Sequence, residues 1–393
     1  MRDDTPAMLF PVLALLTTPA KPLLLAHYMP WYGAKPESRE WGWHWTMGKL
    51  DPDKEQNGRR PAASHFYPLM GLYDSGDPQA LECHALLLKF AGIDGVFVDW
   101  YGNLNVYDYA INHRNTERMF AAVKKAGLKF SLVYEDQTVP NLIKFGKFQK
   151  EQAVDQGKLL MRWLQEHWFR SPSYLKLDGK PVLLVFGPQY YKPEDWSSLF
   201  EGLSPQPALF TLHHRRGPAI GAYDWPLPAG GWEGSQKERA AFYDRAKDWP
   251  AVIPAAYPRF RDFYKDAGIH DSWGNIDDQN GATYERTLKD ALSRKAPFAQ
   301  IATWNDWGEG TMIEPSAEFG YRDLETTQRL HRSRYRAADL RLPIRLYRLQ
   351  KKHPADAKLA KISEMLFRDR LTEARRALDQ YEKDSNLAQA TSG

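Results

Sequence analysis

Asp306 and Glu309 stand three residues apart in the run Thr303-Trp304-Asn305-Asp306-Trp307-Gly308-Glu309-Gly310-Thr311. On a helical turn that spacing sets two Cβ atoms about 5–6 Å apart on one side. Cleavage of a glycosidic bond needs such a pair, one carboxyl to protonate the leaving oxygen and one to act as base or nucleophile. Apposed carboxyls also drive their pKa values apart, so that one keeps its proton near neutrality. The bland alternative is an Asp that caps the following helix and a Glu that pairs with a surface Arg.

Other groups able to do chemistry sit at the ends of apolar runs. Leu23–Tyr28 leads to His27, Tyr28, Trp31 and Tyr32, then to His44 and Trp45. Gly95–Asp99 leads to Asp99, Trp100 and Tyr101, and Phe130–Glu135 to Tyr134 and Glu135. Further on come His213 and His214, then Trp225, Tyr257, and the Trp304, Asn305, Trp307 group. Rings beside carboxylates and histidines suit carbohydrate, whose C–H faces stack on aromatics while its hydroxyls take charged partners. Adjacent histidines on a strand point to opposite faces, and neither His213-His214 nor the Asp271, Asp277, Asp278 loop has metal-ligand spacing. No metal or cofactor is expected.

These residues need elements to hold them. Eight short apolar runs (the three above with Val182–Phe186, Leu209–His213, Ile220–Trp225, Val252–Tyr257 and Ala299–Trp304) read as parallel strands covered on both sides. Helical patterns over Pro78–Ala91, Thr116–Ala126, Glu151–Phe169, Ser235–Lys247 and Ala282–Arg294 alternate with them. Asp77 before Pro78 reads as an N-cap, with Gly92 and Gly127 as helix stops. The fifth and sixth strands are too close for a helix between them. The alternation predicts a (β/α)8 barrel, with function at the C-terminal ends of the strands. A doubly wound nucleotide-binding sheet is disfavoured, because no Gly-rich phosphate motif occurs.

Composition bounds the rest. The 393 residues carry 53 Lys+Arg and 49 Asp+Glu, a net +4 that gives no global reason for a nucleic-acid or acidic-membrane partner. A single cysteine excludes an intrachain disulfide and a Cys-based zinc site. Fourteen Trp, 20 Tyr and 18 Phe favour flat faces offered to a ligand. Residues 1–21 read as a signal peptide or disordered N-terminus, although Asp3 and Asp4 are unlike a positive n-region, and secreted or periplasmic location would follow from a signal. No run is long enough to span a bilayer. Residues 22–338 are expected to form the barrel, and 339–393 a basic helical appendage with a polar tail whose deletion leaves the site intact.

A resemblance joins these blocks. His27-Tyr28-Met29-Pro30-Trp31-Tyr32-Gly33 is similar to the opening signature of glycoside hydrolase family 99, the endo-α-mannosidases and endo-α-mannanases. His44-Trp45, Phe66-Tyr67-Pro68, Gly71-x-Tyr73-x-Ser75-x-Asp77-Pro78 and Phe97-Val98-Asp99-Trp100-Tyr101 follow in that family's order. Asn305 to Pro315 resembles its N-E-W-H-E-G-T-x-I-E-P, with Asp306 for the first Glu and Gly308 for the His. The T-W-N-D-x-G-E wording also resembles family 71, the α-1,3-glucanases. Family 99 implies a (β/α)8 barrel and retention through a 1,2-anhydro sugar, family 71 inversion; stereochemistry stays open.

The resemblance implies an α-glycan hydrolase acting within mannan-like or glucan-like chains. Glu309 is then general acid, Asp306 base and Asn305 their orienter, while Glu135 corresponds to a carboxylate that binds sugar hydroxyls. The expected partner is an oligosaccharide or polysaccharide. A barrel accompanying polysaccharide biosynthesis and a non-catalytic carbohydrate-binding barrel are the competing readings. A buried pair with shifted pKa values argues against the binder, an exposed unperturbed pair for it.

Overall fold

The computed structural model describes residues 21–391, with side chains to residue 385. The reading of residues 1–21 as a signal falls outside the described residues save for Lys21. Among described residues, no helix is long and apolar enough to cross a membrane.

Eight parallel staves form the barrel. They are β1 (Leu23–Tyr28), β2 (Gly95–Trp100), β3 (Lys129–Tyr134), β4 (Lys180–Val185), β5 (Ala208–Leu212), β6 (Gly221–Tyr223), β7 and β8 (Phe298–Ile301). Stave β7 is broken by Pro254, which has no N–H to donate: Ala251–Ile253 pairs with β6, and Ala255–Ala256 pairs with β8. That break closes the ring, since β8 also pairs with β1. The outer layer comprises α1 (Pro78–Ala91), α2 (Tyr109–Lys125), α3 (Ala153–Leu164, continuing as a π turn to Phe169), α4 (Pro193–Leu199), α5 (Gly231–Arg245), α6 (Ala282–Ser293) and α7 (Arg322–His331). Asp77 caps α1 through the Gln79 N–H, and Gly92 ends it in the left-handed region at φ +79°. No helix joins β5 to β6.

Strand register sorts the side chains. Leu25 is level with Gln300 and Gly95, His27 with Phe97, and Asp99 with Val133, so these share one face of the sheet, the inner one. Tyr28, Trp100 and Tyr134 have the opposite parity and point into the helix layer. Tyr28 meets His84 of α1, Trp100 meets His113, Trp163 and Trp168, and Tyr134 meets Trp196 of α4. Much of the aromatic content therefore fills the β–α interface.

The C-terminal helices α8 (Arg341–Lys352), α9 (Ala357–Phe367) and α10 (Leu371–Thr391) do not stand apart. Leu342, Leu346, Tyr347, Leu366 and Leu378 are buried in the same apolar cluster as the strands. Lys351 pairs with Asp77 at 3.0 Å, and Lys89 of α1 donates to the Phe367 carbonyl at 2.7 Å. The apolar outer face of α1 is covered by this layer, so the expectation that the helices can be deleted without consequence does not suit the packing. Leu366→Ala should cost about 2–5 kcal/mol, the range for a buried Leu, in one denaturation transition shared with the barrel. An early separate transition would show the helices unfolding as their own unit.

Candidate active site

The loop after β8 is built by backbone mimicry. Asn305 turns inward, and its amide replaces a strand neighbour for β1: Oδ1 accepts the Met29 N–H at 2.8 Å, and Nδ2 donates to the Met29 carbonyl at 2.9 Å. Thr303 and Thr311 close the base, the Thr303 N–H donating to the Thr311 carbonyl at 3.0 Å. The Tyr32 hydroxyl donates to the Asn305 carbonyl (2.8 Å) and accepts the Trp307 N–H (3.0 Å). From the other side, Arg261 and Phe263 donate their N–H groups to the Glu309 and Gly308 carbonyls at 2.8 and 2.9 Å. The loop is thereby clamped between the chain following β1 and the chain following β7.

Asp306 and Glu309 occupy a tight turn, not the helical turn expected from their spacing; α7 starts at Arg322. Asp306 Oδ1 accepts the Glu309 N–H at 3.0 Å, so the capping half of the bland alternative is realised within the turn itself. The other half is not. Glu309 Oε2 is buried without a hydrogen-bond partner instead of paired with a surface Arg. Burial pushes the Asp306 carboxyl up to about 6, opposed by the N–H groups of Glu309 and Gly308. Burial first, then the charges of Asp306, Asp262 and Glu135, hold Glu309 well above the usual carboxyl range. Burial thus favours the protonated form of both carboxyls, and Asp306 has the backbone N–H groups that oppose it.

A cleft of about 960 Å³ is lined in part by Trp31, Trp41, His44, Tyr101 and Glu135; Asp306 and Glu309 are not among its lining residues, but both feel the charge of Glu135. His44 stacks on Trp31 at 4.1 Å and 7°, and burial depresses its imidazole to about 3, so it is uncharged. His27 is buried below, edge-on to Trp225 at 4.7 Å, and likewise held neutral by burial at about 3. Asp99 is buried beside Glu135.

Of the residues singled out from the sequence, Trp31, His44, Tyr101 and Glu135 line the cleft, Asp99 is close to Glu135 and feels Asp306, and His27 packs on Trp225. Others do not face the cleft. Tyr28, Trp100 and Tyr134 point outward by strand parity, and Trp304 is buried against His84. Tyr257 bonds Ser235 and Gln236 of α5 at 2.7 and 3.0 Å. Trp45, fully buried, donates to the Tyr73 carbonyl at 2.8 Å. Tyr32, Asn305 and Trp307 are loop supports, and Asn305 orients the pair only by fixing the backbone. Asp278 pairs with Arg259 and Arg322. Asp262 and Tyr264, whose hydroxyl feels the Glu309 charge most strongly, went unnoticed in the sequence. They lie beyond the seventh strand in a stretch without periodicity, where only the mixture of acids and rings in Arg259–Tyr264 hints at a site.

A (β/α)8 barrel with two desolvated carboxyls after its last strand is the architecture of a glycosidase. The comparisons agree with the resemblance to family 99. No family model matches the chain. It is 25% identical over 329 residues to the glycoprotein endo-alpha-1,2-mannosidase-like protein of Danio rerio, covering 73% of this chain and 69% of that one. With the glycoprotein endo-alpha-1,2-mannosidase of Mus musculus it shares 22% over 334 residues, 75% of this chain and 68% of the other. The fold matches the family 99 endo-alpha-mannosidase of Bacteroides thetaiotaomicron with TM-score 0.61 at 19% identity, over 82% of this chain and 98% of that one.

Tyr73→Phe would strip Glu314 Oε2 of its 2.8 Å donor and Asn305 Nδ2 of an acceptor at 3.1 Å. A loss of about 1–3 kcal/mol in chemical denaturation is expected for an orphaned buried group. An unchanged midpoint would show that the network is not taut.

Proposed function

We propose that this protein is a glycoside hydrolase that cleaves α-linked glycans, mannan-like or glucan-like, within the chain, with Glu309 as general acid and Asp306 as base. The observation that carries the reading is the buried carboxyl pair after the last strand, both raised by burial but only Asp306 relieved by backbone N–H groups. A binding barrel has no need of it, because a carbohydrate is held as well by ionised or amide groups. The sequence relatives support the α-mannoside form of the substrate.

The chemistry follows from the environments. Glu309, kept protonated by desolvation, gives its proton to the departing glycosidic oxygen. Asp306, ionised, withdraws a proton from the sugar 2-hydroxyl or from water. Its Oδ1 is pinned by the Glu309 N–H, which leaves the other oxygen for that task. Trp31, with His44 stacked on it, offers a face to the sugar, and Glu135 accepts from hydroxyls.

Glu309→Gln should lower turnover at least about a hundredfold, the scale for a lost general acid, with the circular dichroism spectrum unchanged. Proton NMR of the reaction with α-mannan and α-glucan panels is the deciding experiment. New anomeric signals from the wild type alone establish the hydrolase, and equal signals from the variant would remove Glu309 from the mechanism.

A bell-shaped pH dependence of kcat/KM is expected. The sign is fixed by the roles: the base must be ionised, so the rate rises with pH through about 6 as Asp306 loses its proton. The acid must be protonated, so the rate falls again above neutrality as Glu309 ionises. A profile still rising at alkaline pH would contradict Glu309 as acid. Trp31→Ala should weaken glycan affinity more than it lowers the melting temperature; the reverse would mark Trp31 as packing.

A further inference from the structure

Asp99 presents a puzzle that the pair does not resolve. It lies at the inner end of β2, only 1% exposed, and among the described residues no side-chain donor reaches its carboxylate oxygens, the Trp100 N–H being the one backbone donor nearby. Asp99 is level with Val133 on β3, and Glu135 lies two residues beyond Val133 on the same inner face. The Glu135 N–H donates to the Trp100 carbonyl at 3.0 Å, which fixes that register past the end of the strand. The group within hydrogen-bonding reach of Asp99 is therefore another carboxyl, that of Glu135. Gln137 Nε2 occupies Glu135 Oε2 from the cleft side.

Two buried carboxyls in contact cannot both ionise, and a hydrogen bond between them requires a proton. Among the described residues no cation is a main influence on either carboxyl, although Arg39 and Arg114 line the same cleft as Glu135. The rings near the two carboxyls are the tyrosines 101, 109 and 223. Asp306 and Glu309 add carboxyls on the β8 side, and His27 on β1 is neutral. Asp136, next in the chain, is already satisfied by the N–H groups of Gln189, Tyr190 and Tyr191 at 2.8 to 3.0 Å.

We propose that Asp99 and Glu135 hold one proton between them, and that Asp99 is the positioning residue that fixes Glu135 as an acceptor facing the cleft. The proton resides on Asp99, which donates to Glu135. Glu135 keeps the negative charge at the cleft wall and takes hydroxyl donors from the ligand. Burial is the main cause that raises Asp99, with the charge of Glu135 next; burial raises Glu135 as well, opposed by hydrogen bonds from Gln137 and then Asp99. The shared proton follows from the burial and juxtaposition of the two carboxyls and needs no activity; its service to a sugar rests on the glycosidase reading.

The test uses the full chain carrying Glu309→Gln, which removes the other proton-retaining carboxyl of the site. Side-chain carboxyl carbons are followed by carbon-13 NMR through a pH titration. One resonance at the protonated position near neutral pH is expected, abolished by Asp99→Asn and moved to lower pH by Glu135→Gln. No such resonance in the parent, its survival in Asp99→Asn, or an unmoved titration in Glu135→Gln overturns the shared proton.

In the otherwise wild-type enzyme, Asp99→Asn keeps an N–H donor to Glu135 and should hold KM within about threefold. Asp99→Leu, which has none, should raise KM at least about tenfold with kcat little changed, the scale of a lost hydrogen bond to a charge. Equal losses in the two variants overturn the positioning role. If no glycan is cleaved, the glycosidase reading falls while the carbon spectrum still decides the proton.

Discussion

The Glu314 carboxylate, fully buried behind the catalytic loop, is the point to which the rest of the site is tied. Its Oε2 accepts from the Tyr73 hydroxyl at 2.8 Å and the Trp307 indole at 3.1 Å, and its Oε1 lies 3.2 Å from His84 Nε2. His84 Nδ1 is in turn 3.0 Å from the Tyr28 hydroxyl. One assignment of protons satisfies the whole chain: Tyr28 donates to Nδ1, and Nε2–H donates to Glu314. A buried carboxylate with its lone pairs filled is tolerated, whereas one stripped of a donor is costly. The four elements that supply those groups are β1, the long segment before α1, α1 itself and the loop after β8. Trp307, held at its indole by Glu314 and at its N–H by Tyr32, is one of the two residues between Asp306 and Glu309. The pair is thus positioned from behind by a network that never touches the cleft.

Environment, not residue type, separates the acidic groups. Glu314 has three partners. Glu309 has an oxygen with none, and burial leaves protonation as its cheapest answer. Asp306 lies between, desolvated but supported by two backbone N–H groups, which brings it to about 6. A one-residue displacement of the loop would exchange these environments. That is why so many hydrogen bonds fix its backbone at Asn305, Trp307, Gly308 and Glu309.

The barrel was legible because parallel strands covered on both faces write themselves as continuous apolar runs. Eight were recognisable, and β1 was bounded to the residue. The site was half legible. Carboxyls and rings at strand ends pointed to the end of the barrel where Asp306 and Glu309 lie, but continuous apolarity hides which residues of a strand face inward. Tyr28, Trp100 and Tyr134 were credited to the pocket because parity is invisible without the register. Trp304 and Trp45 were misplaced for a related reason, since a Trp in a barrel is as useful between strand and helix as against a sugar. The C-terminal helices carry basic polar faces that suggested a separate appendage. Their apolar stripes complete the cover of α1, a relation that depends on tertiary packing across about 270 residues, as Lys351–Asp77 illustrates.

Gly308 shows how the departures from the family 99 pattern fit together. A Cβ at this position would lie 3.1 Å from the Met47 methyl carbon and 3.5 Å from Asp306 Oδ1. Met47 belongs to a small apolar cluster with Ala63 and Ala267, on which Phe263 and Tyr264 pack. A larger side chain at 308 would have to displace Met47 from the flank of the catalytic turn. Where the resemblance would place an imidazole, the turn here meets the apolar Met47 side chain. The shorter Asp306 fits the same frame, because its Oδ1 reaches the Glu309 N–H within the turn. The two substitutions act on one feature, a tight turn in which Asp306 is anchored by the backbone and Glu309 is shifted by burial.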